Sequence, residues 1–432
     1  METLYTLRKK LLEKGAEDIV LTKTESDESM IKFVNNKIVK TGLETSEAID
    51  LFVAKDKKLV STSLKEFDEK TMSNTIKKII EFLKTSKKNN SYVGISENKF
   101  KYPKIESCHD KKIQDCDVIE IVESSINEAL KNSKRTAGTF QSSTGKVSIL
   151  TSTGIEKSYE SSSLYLSLRA FAAKDASGHK TATSSNLKNF HFEKAGKQAG
   201  EIAKQSLNPE EGKSGNYDVV FSPLAFASIL DNIGEATSIF SVEAGMSFFK
   251  DELGKNLGNF TLIDDGTLKN GVGSSPFDAE GHPTQRTEVI KDGVLKTYLH
   301  NTSSASRYKT DSTGNAGIIS PSPTNLILEG KEGNPFNIEN GIYVTNVWYT
   351  RFQNYATGDF STIPRDGMFL IKNGEVTKPI KNLRVSENIL NMLKNIEIFG
   401  KDKEQITSWE ADTPCNQAPL RIKDIRMTKP TA

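Results

Sequence analysis

The side chains able to do polar chemistry are few and widely spread. The chain of 432 residues holds five histidines, His109, His179, His191, His282 and His300. Its two closest pairs, His179 with His191 and His282 with His300, stand 12 and 18 positions apart. A zinc-binding helix of the HExxH type needs two imidazoles on adjacent turns, so none can be built from these five. Cys108, His109 and Cys116 could meet a soft metal in principle, but three ligands in a Lys-rich loop make no closed site. Gly212-Lys213-Ser214 has the end of a phosphate loop without its upstream glycine or preceding strand, and carries no nucleotide reading. His282 falls in a polar turn and reads as a solvated loop histidine, while His300 ends a strand and its ring reads as hydrogen-bonded within a turn. Two segments are denser in special residues: Ser312-Thr-Gly-Asn-Ala-Gly317 with Pro321-Ser-Pro-Thr-Asn325, and Thr357-Gly-Asp-Phe-Ser361. Small residues and glycines let backbone amides approach a ligand, and they equally permit a tight irregular crossing.

Positioning such groups takes more than one core, and 432 residues predict two or three domains. Lys and Arg number 58 against 56 Asp and Glu, a net charge of +2, which excludes the basic excess of a chain built to grip nucleic acid. With 36% hydrophobic and 26% charged residues, the composition is that of a water-soluble globular protein. No run approaches the roughly 20 apolar residues of a membrane span. Leu4, Leu7 and Leu11 share one face of an amphipathic N-terminal helix, Met1 to Gly15, which lacks the apolar core of a signal peptide. Three cysteines, Cys108, Cys116 and Cys415, argue against a disulfide framework, and a reducing cytoplasm is expected.

The pattern predicts an α+β chain. In the N-terminal half, Ile19 to Leu21, Met30 to Val34, Ala48 to Val53 and Leu59 to Thr62 read as short strands of an antiparallel meander. Thr75 to Leu83, Val118 to Leu130 and Phe190 to Leu207 have helical spacing, and strand signals fill Thr139 to Thr183. Glu210 to Asn216 is the most linker-like stretch, dividing an N-terminal domain (1–210) of mixed α/β character from a C-terminal domain (217–432). The latter opens with a strand, Tyr217 to Ser222, and a helix from Pro223 to about Ala236. Asp264-Asp265-Gly266, Lys291-Asp292-Gly293 and Lys372-Asn373-Gly374 then mark tight turns, which predicts a barrel-like, mainly antiparallel sheet domain with few helices. Leu390, Leu393 and Ile396 predict one late helix, and Leu420, Ile422 and Ile425 a last strand.

Read in order and spacing, Ile263-Asp-Asp-Gly-Thr-Leu268, Pro276-Phe-Asp-Ala-Glu-Gly281, Pro283-Thr-Gln-Arg-Thr287, Asp292-Gly-Val-Leu-Lys296, Ser312-Thr-Gly-Asn315, Pro323-Thr-Asn325 and Thr357-Gly-Asp-Phe-Ser361 resemble the TldD/PmbA family. Its members were named as modulators of DNA gyrase and are understood as metallopeptidase subunits. The resemblance is specific from about Tyr217 to Met427 and looser before that, where it rests on element order and Leu150-Thr-Ser-Thr-Gly154.

The family pairs a catalytic chain, carrying HExxxH just after the residues matching Ser222-Pro223, with a zinc-less relative. In that register this chain reads Asp231-Asn-Ile-Gly-Glu-Ala236, so Asp231, Asn232 and Ala236 stand at the two ligand positions and the general-base position. Alanine cannot ligate and asparagine cannot take a proton. Cys415, five positions before Leu420, lies too near the last strand to match the family's cysteine ligand. The resemblance therefore implies the PmbA or TldE type. No catalytic residue, metal or cofactor is expected in this chain, and zinc is expected in a TldD-type partner. It further implies a heterodimer around an unfolded or short peptide, with a homodimeric peptide-binding scaffold as the alternative, and no direct contact with nucleic acid or membrane. Ser312, Thr313, Gly314, Asn315, Gly317, Thr324 and Asn325 are the expected substrate-binding or interface residues.

Overall fold

Leucines three and four residues apart drive the first helix, α1 (Glu2–Glu13), onto a sheet with Leu4, Leu7 and Leu11 fully buried. The structure, a computed structural model, describes residues 1–106 and 108–429. Strands β1 (Asp18–Val34), β2 (Lys37–Lys55) and β3 (Lys58–Leu64) follow, then helices α2 (Glu69–Thr85) and α3 (Val118–Leu130). Strands β4 (Arg135–Thr151), β5 (Glu156–Ala173) and β6 (Ala176–Ser184) and helix α4 (Phe192–Gln205) complete the first half. The six strands form one antiparallel sheet in the order β3-β2-β1-β4-β5-β6. The two short strands expected at 19–21 and 30–34 are one strand of 17 residues. Its polar middle stays extended because β2 and β4 pair with it on both sides, Ser26 facing Ser46 and Gly145.

The small-residue face of α4 brings it onto α3. A Cβ at Gly196 would stand 2.2 Å from the Ser125 carbonyl oxygen, and one at Gly200 2.4 Å from that of Ala129, so the two backbones touch.

In the second half come β7 (Glu210–Glu211), β8 (Gly215–Phe221), α5 (Pro223–Ala236), α6 (Ile239–Glu243), β9 (Phe260–Asp265), β10 (Arg286–Lys291), β11 (Val294–Leu295) and α7 (Thr302–Tyr308). After β12 (Leu326–Gly330) and β13 (Asn340–Val344) run β14 (Val347–Asn354), β15 (Asp359–Pro364), β16 (Met368–Lys372), β17 (Glu375–Lys381) and β18 (Arg384–Asn388). The chain ends with α8 (Ile389–Lys394), β19 (Ile396–Phe399), β20 (Glu404–Ser408), β21 (Ala411–Gln417) and β22 (Leu420–Thr428). One sheet has the order β11-β10-β9-β12-β21-β20, the other β14-β15-β18-β22-β8-β13-β16-β17-β7, with β19 against β22. Most pairs are antiparallel, as the α+β reading requires; among the described residues neither sheet closes, so the barrel-like expectation gives way to two open sheets. No described helix is long and apolar enough to cross a membrane.

Three local expectations change. Residues 210–216 are tied into the sheet, Glu210 and Glu211 pairing with Ile380 and Lys381; their polarity reflects an edge in water. Ile396 leaves the late helix, which stops at Lys394, and pairs with Ile422. Asp292-Gly293 and Asn373-Gly374 do turn hairpins with positive φ, but at Asp264-Asp265-Gly266 the strand runs on to Asp265 and no tight hairpin forms.

Helix α5 sits between the two sheets, against β8 and β14 of one and β12, β20 and β21 of the other. Its residues from Pro223 to Leu230 are all buried, as the near-continuous apolar run there dictates, while Asp231, Asn232 and Glu235 are not. The halves of the chain are joined by Lys180 with Glu404 at 2.8 Å, Arg169 with Asp366 at 2.5 Å, and a segment of irregular backbone, residues 86–106, that binds α7 through Val93 N–H to Ser303 Oγ at 3.2 Å.

Candidate functional site

The three positions expected to be degenerate, Asp231, Asn232 and Ala236, all fall on α5, and the local structure explains how that helix forms. Ser222 caps the helix, its Oγ accepting from Ala225 N–H at 3.1 Å while donating to the Thr345 carbonyl at 2.6 Å. Pro223 supplies the first turn, where no backbone N–H is needed. About two turns on, Asp231 Oδ1 accepts the Thr413 N–H at 3.2 Å, so the helix is tied to β21 through that carboxylate. Burial pushes the Asp231 carboxyl up, and the bond from Thr413 opposes that shift. Asn232 turns back on its own helix, donating to the Ser228 carbonyl at 2.8 Å. Ala236 is buried, and its carbonyl takes the Ser247 hydroxyl at 2.6 Å. Glu235 lies nearby, its acidity reduced by partial burial and then by the charges of Asp231 and Asp412.

Cys415 is remote from α5 in sequence but faces it from β21, its thiol donating to the Ala227 carbonyl at 3.6 Å. It is fully buried; burial and then the Asp231 charge push its thiol well up, away from the thiolate a metal needs. No group of three or more His, Cys, Asp or Glu side chains among the described residues could hold a metal ion. The residues present do not fit a zinc ion: Asp231 offers a single half-buried carboxylate, already bonded to the β21 backbone, with an amide beside it. Cys108, His109 and Cys116 likewise form no such group.

The expected binding segment divides in two. Thr313, Asn315 and Asn325 are buried; Thr313 Oγ1 bonds the His300 backbone, whereas Asn315 and Asn325 serve a polar core around the inward-turned Asp264. Asn315 Nδ2 donates to Asp264 Oδ2 at 2.6 Å, Thr324 N–H to Oδ1 at 2.6 Å, and Asn325 Nδ2 to the Asp265 carbonyl at 2.8 Å. Burial raises the Asp264 carboxyl to about 6 despite these donors. Gly314 has φ +71° and passes so close to the Pro283 carbonyl that a Cβ would stand 2.3 Å from it. The two ends of the segment reach cavities. Ser312 borders an open groove of about 1110 Å³ with Lys99, Phe100 and His282, and Gly317 a cleft of about 440 Å³ between the two halves of the chain, walled by Phe52, Tyr92, Phe240 and Arg307. His300, expected as a turn residue, is buried, with Nδ1 3.2 Å from Ser304 Oγ.

Sequence reading missed a cluster beside α5. Both tryptophans of the chain, Trp348 on β14 and Trp409 on the β20–β21 turn, meet with ring centroids 5.3 Å apart, and Tyr349 joins them. Only the rarity of tryptophan, at positions 61 apart, could have drawn notice.

Comparison with known proteins places these features. The model of the PmbA/TldA metallopeptidase C-terminal domain matches residues 214–429, and that of the central domain of the same family residues 108–207. The uncharacterized protein MJ0231 of Methanocaldococcus jannaschii is 29% identical over 81% of this chain and 83% of its own. The metalloprotease PmbA homolog of Haemophilus influenzae is 29% identical over 46% of this chain and 44% of its own. The chain spans about half the length of the metalloproteases it matches. The crystal structure of TldE from Thermococcus kodakarensis superposes with a TM-score of 0.88 over 99% of this chain and 100% of that one; at 18% identity it shares the fold.

Proposed function

Since the chain belongs to the PmbA/TldD metallopeptidase family, we propose that it acts as the zinc-less, non-catalytic subunit of a TldD/TldE-type heteromeric peptidase. The observation carrying this reading is α5 itself: Asp231, Asn232 and Ala236 occupy the motif positions, each committed to local packing or hydrogen bonding. The partner would be an HExxxH-bearing relative that supplies zinc and the hydrolytic chemistry. This chain would complete the enclosure and hold an unfolded or short peptide, for which the open sheet edges and the two clefts offer backbone and side-chain contacts.

Co-expression with an HExxxH-bearing relative, followed by size-exclusion chromatography and a peptide-cleavage assay, tests it. The expected result is a heterodimer whose cleavage requires the partner's motif and survives Asp231→Ala in this chain. Stoichiometric zinc and cleavage of unstructured peptides by this chain alone would overturn it. A stable homodimer that binds peptides and ignores the relative would favour a scaffold role instead.

A further inference from the structure

At the edge of the larger sheet, β14 pairs with β15 alone, and its register slips between Trp348 and Arg351. The slip leaves the N–H groups of Tyr349 and Thr350 turned off the ladder, and Tyr349 adopts a left-handed φ of +59°. Successive N–H groups around a left-handed residue form a concave anion cradle. Here it already holds a carboxylate: Glu410 accepts Tyr349 N–H at 2.8 Å through Oε1 and Thr350 N–H at 3.3 Å through Oε2, and Arg351 Nη1 stands 3.3 Å from Oε1. The Glu410 side chain is 8% exposed, whereas the turn carrying it is a surface tip with Trp409 49% exposed. Trp348, Tyr349 (47% exposed) and Trp409 wall the cradle, and Arg365, without an acidic partner among the described residues, lies 5.1 Å over the Trp348 ring.

We propose that this cradle is a carboxylate-binding subsite for a peptide, held shut by Glu410, which swings out with its turn when a peptide carboxylate takes its place. The proposal rests on the peptide-holding reading given above. The shared chemistry is a carboxylate carried beside an apolar side chain: two N–H donors and a guanidinium take the anion, and the aromatic wall takes the apolar group. Its two sources are a C-terminal α-carboxylate and an internal Asp or Glu. Glu410, an intramolecular ligand of the same chemistry, competes with both.

Because both tryptophans of the chain border the cradle, their fluorescence reports its occupancy. Acetyl-alanyl-alanyl-phenylalanine as free acid, its C-terminal amide, and an amidated peptide with one internal aspartate are titrated into the full chain and Glu410→Ala. The free acid is expected to bind Glu410→Ala at least tenfold more tightly than the wild type, with the gain lost on adding Arg351→Ala and absent for the plain amide. The same gain for the aspartyl peptide instead assigns the cradle to an internal acid. Equal affinities for all three peptides, unchanged by the substitution, overturn the cradle while leaving peptide holding intact; no binding of any peptide overturns both. If Glu410→Ala fails to fold, Glu410→Gln replaces it. If neither folds, the wild type at millimolar peptide must show the same ranking and lose it in Arg351→Ala, or the proposal fails.

Discussion

Asn346 donates to Nδ1 of His179 at 3.0 Å across the seam between the two halves of the chain, and this bond decides which ring nitrogen carries the proton. The same amide donates to Asp366 Oδ2 at 3.2 Å; a carboxylate only accepts, so the NH2 group must face both. Nδ1 is then the acceptor, and Nε2–H donates to Ser167 Oγ at 2.8 Å. Arg169 and the Ser177 hydroxyl bind the other Asp366 oxygen, at 2.5 and 2.6 Å.

Burial lowers the His179 pKa to about 4, with the Asp366 charge opposing the shift. An unfolded chain protonates this ring near the ordinary 6.5, so between those values it holds a proton that the folded chain does not. Stability from this group is full above pH 6.5 and falls as pH drops towards 4, by about 3 kcal/mol. Urea unfolding of wild type and His179→Gln should therefore give stabilities that converge by about that amount between pH 7 and 4. A pH-independent difference would mean that the ring does not titrate this way.

Asp264 has the opposite linkage. Its folded pKa of about 6 exceeds the unfolded value, so its contribution is full below about pH 3.8 and is lost as pH rises through 6. Both of its oxygens nevertheless face donors from Asn315 and Thr324. Asp264→Asn puts an NH2 against one of them and is expected to cost about 2 kcal/mol at pH 7 in chemical denaturation, despite removing a buried charge.

Gly196→Ala should lower the melting temperature. The added methyl meets the Ser125 carbonyl of α3, a backbone group that cannot turn aside, and separating the helices costs about 1–3 kcal/mol. The expected readout is a cooperative melt displaced downward; an unchanged melt would show that α3 and α4 can slide apart freely.

Placing the HExxxH letters on α5 should not create a zinc centre. His at Ala236 must enter a packed position, and no third protein ligand stands ready among the described residues. The variant Asp231→His, Asn232→Glu, Ala236→His is expected to melt below the wild type and to show no peptidase activity with added zinc, measured by calorimetry and peptide cleavage. Activity above background would show that a third ligand can be recruited.

Much of the architecture is legible in the sequence. The leucine spacing of α1, the stripe of α3, the Ser222-Pro223 start of α5 and the turns at Asp292-Gly293 and Asn373-Gly374 are local, and each depends on propensity, capping or positive φ within a few residues. The long polar middle of β1 was not legible, because what keeps Thr22 to Ser29 extended is pairing with strands elsewhere in the chain. The same limit applied to Asp264, whose Asp-Asp-Gly context reads as a turn until Asn315 and Thr324 arrive to bind its carboxylate.

By itself the sequence determined the α+β character and the family, since these depend on residue type and order along one chain. Only the tertiary structure decided that Cys415 faces α5 as a buried thiol, that His179 is held neutral between the two halves of the chain, and that Glu410 sits in the backbone cradle of Tyr349 and Thr350. Each of these pairs groups about 60 to 190 positions apart, and their energies come from burial and hydrogen-bond geometry that exist only once the sheets have packed together.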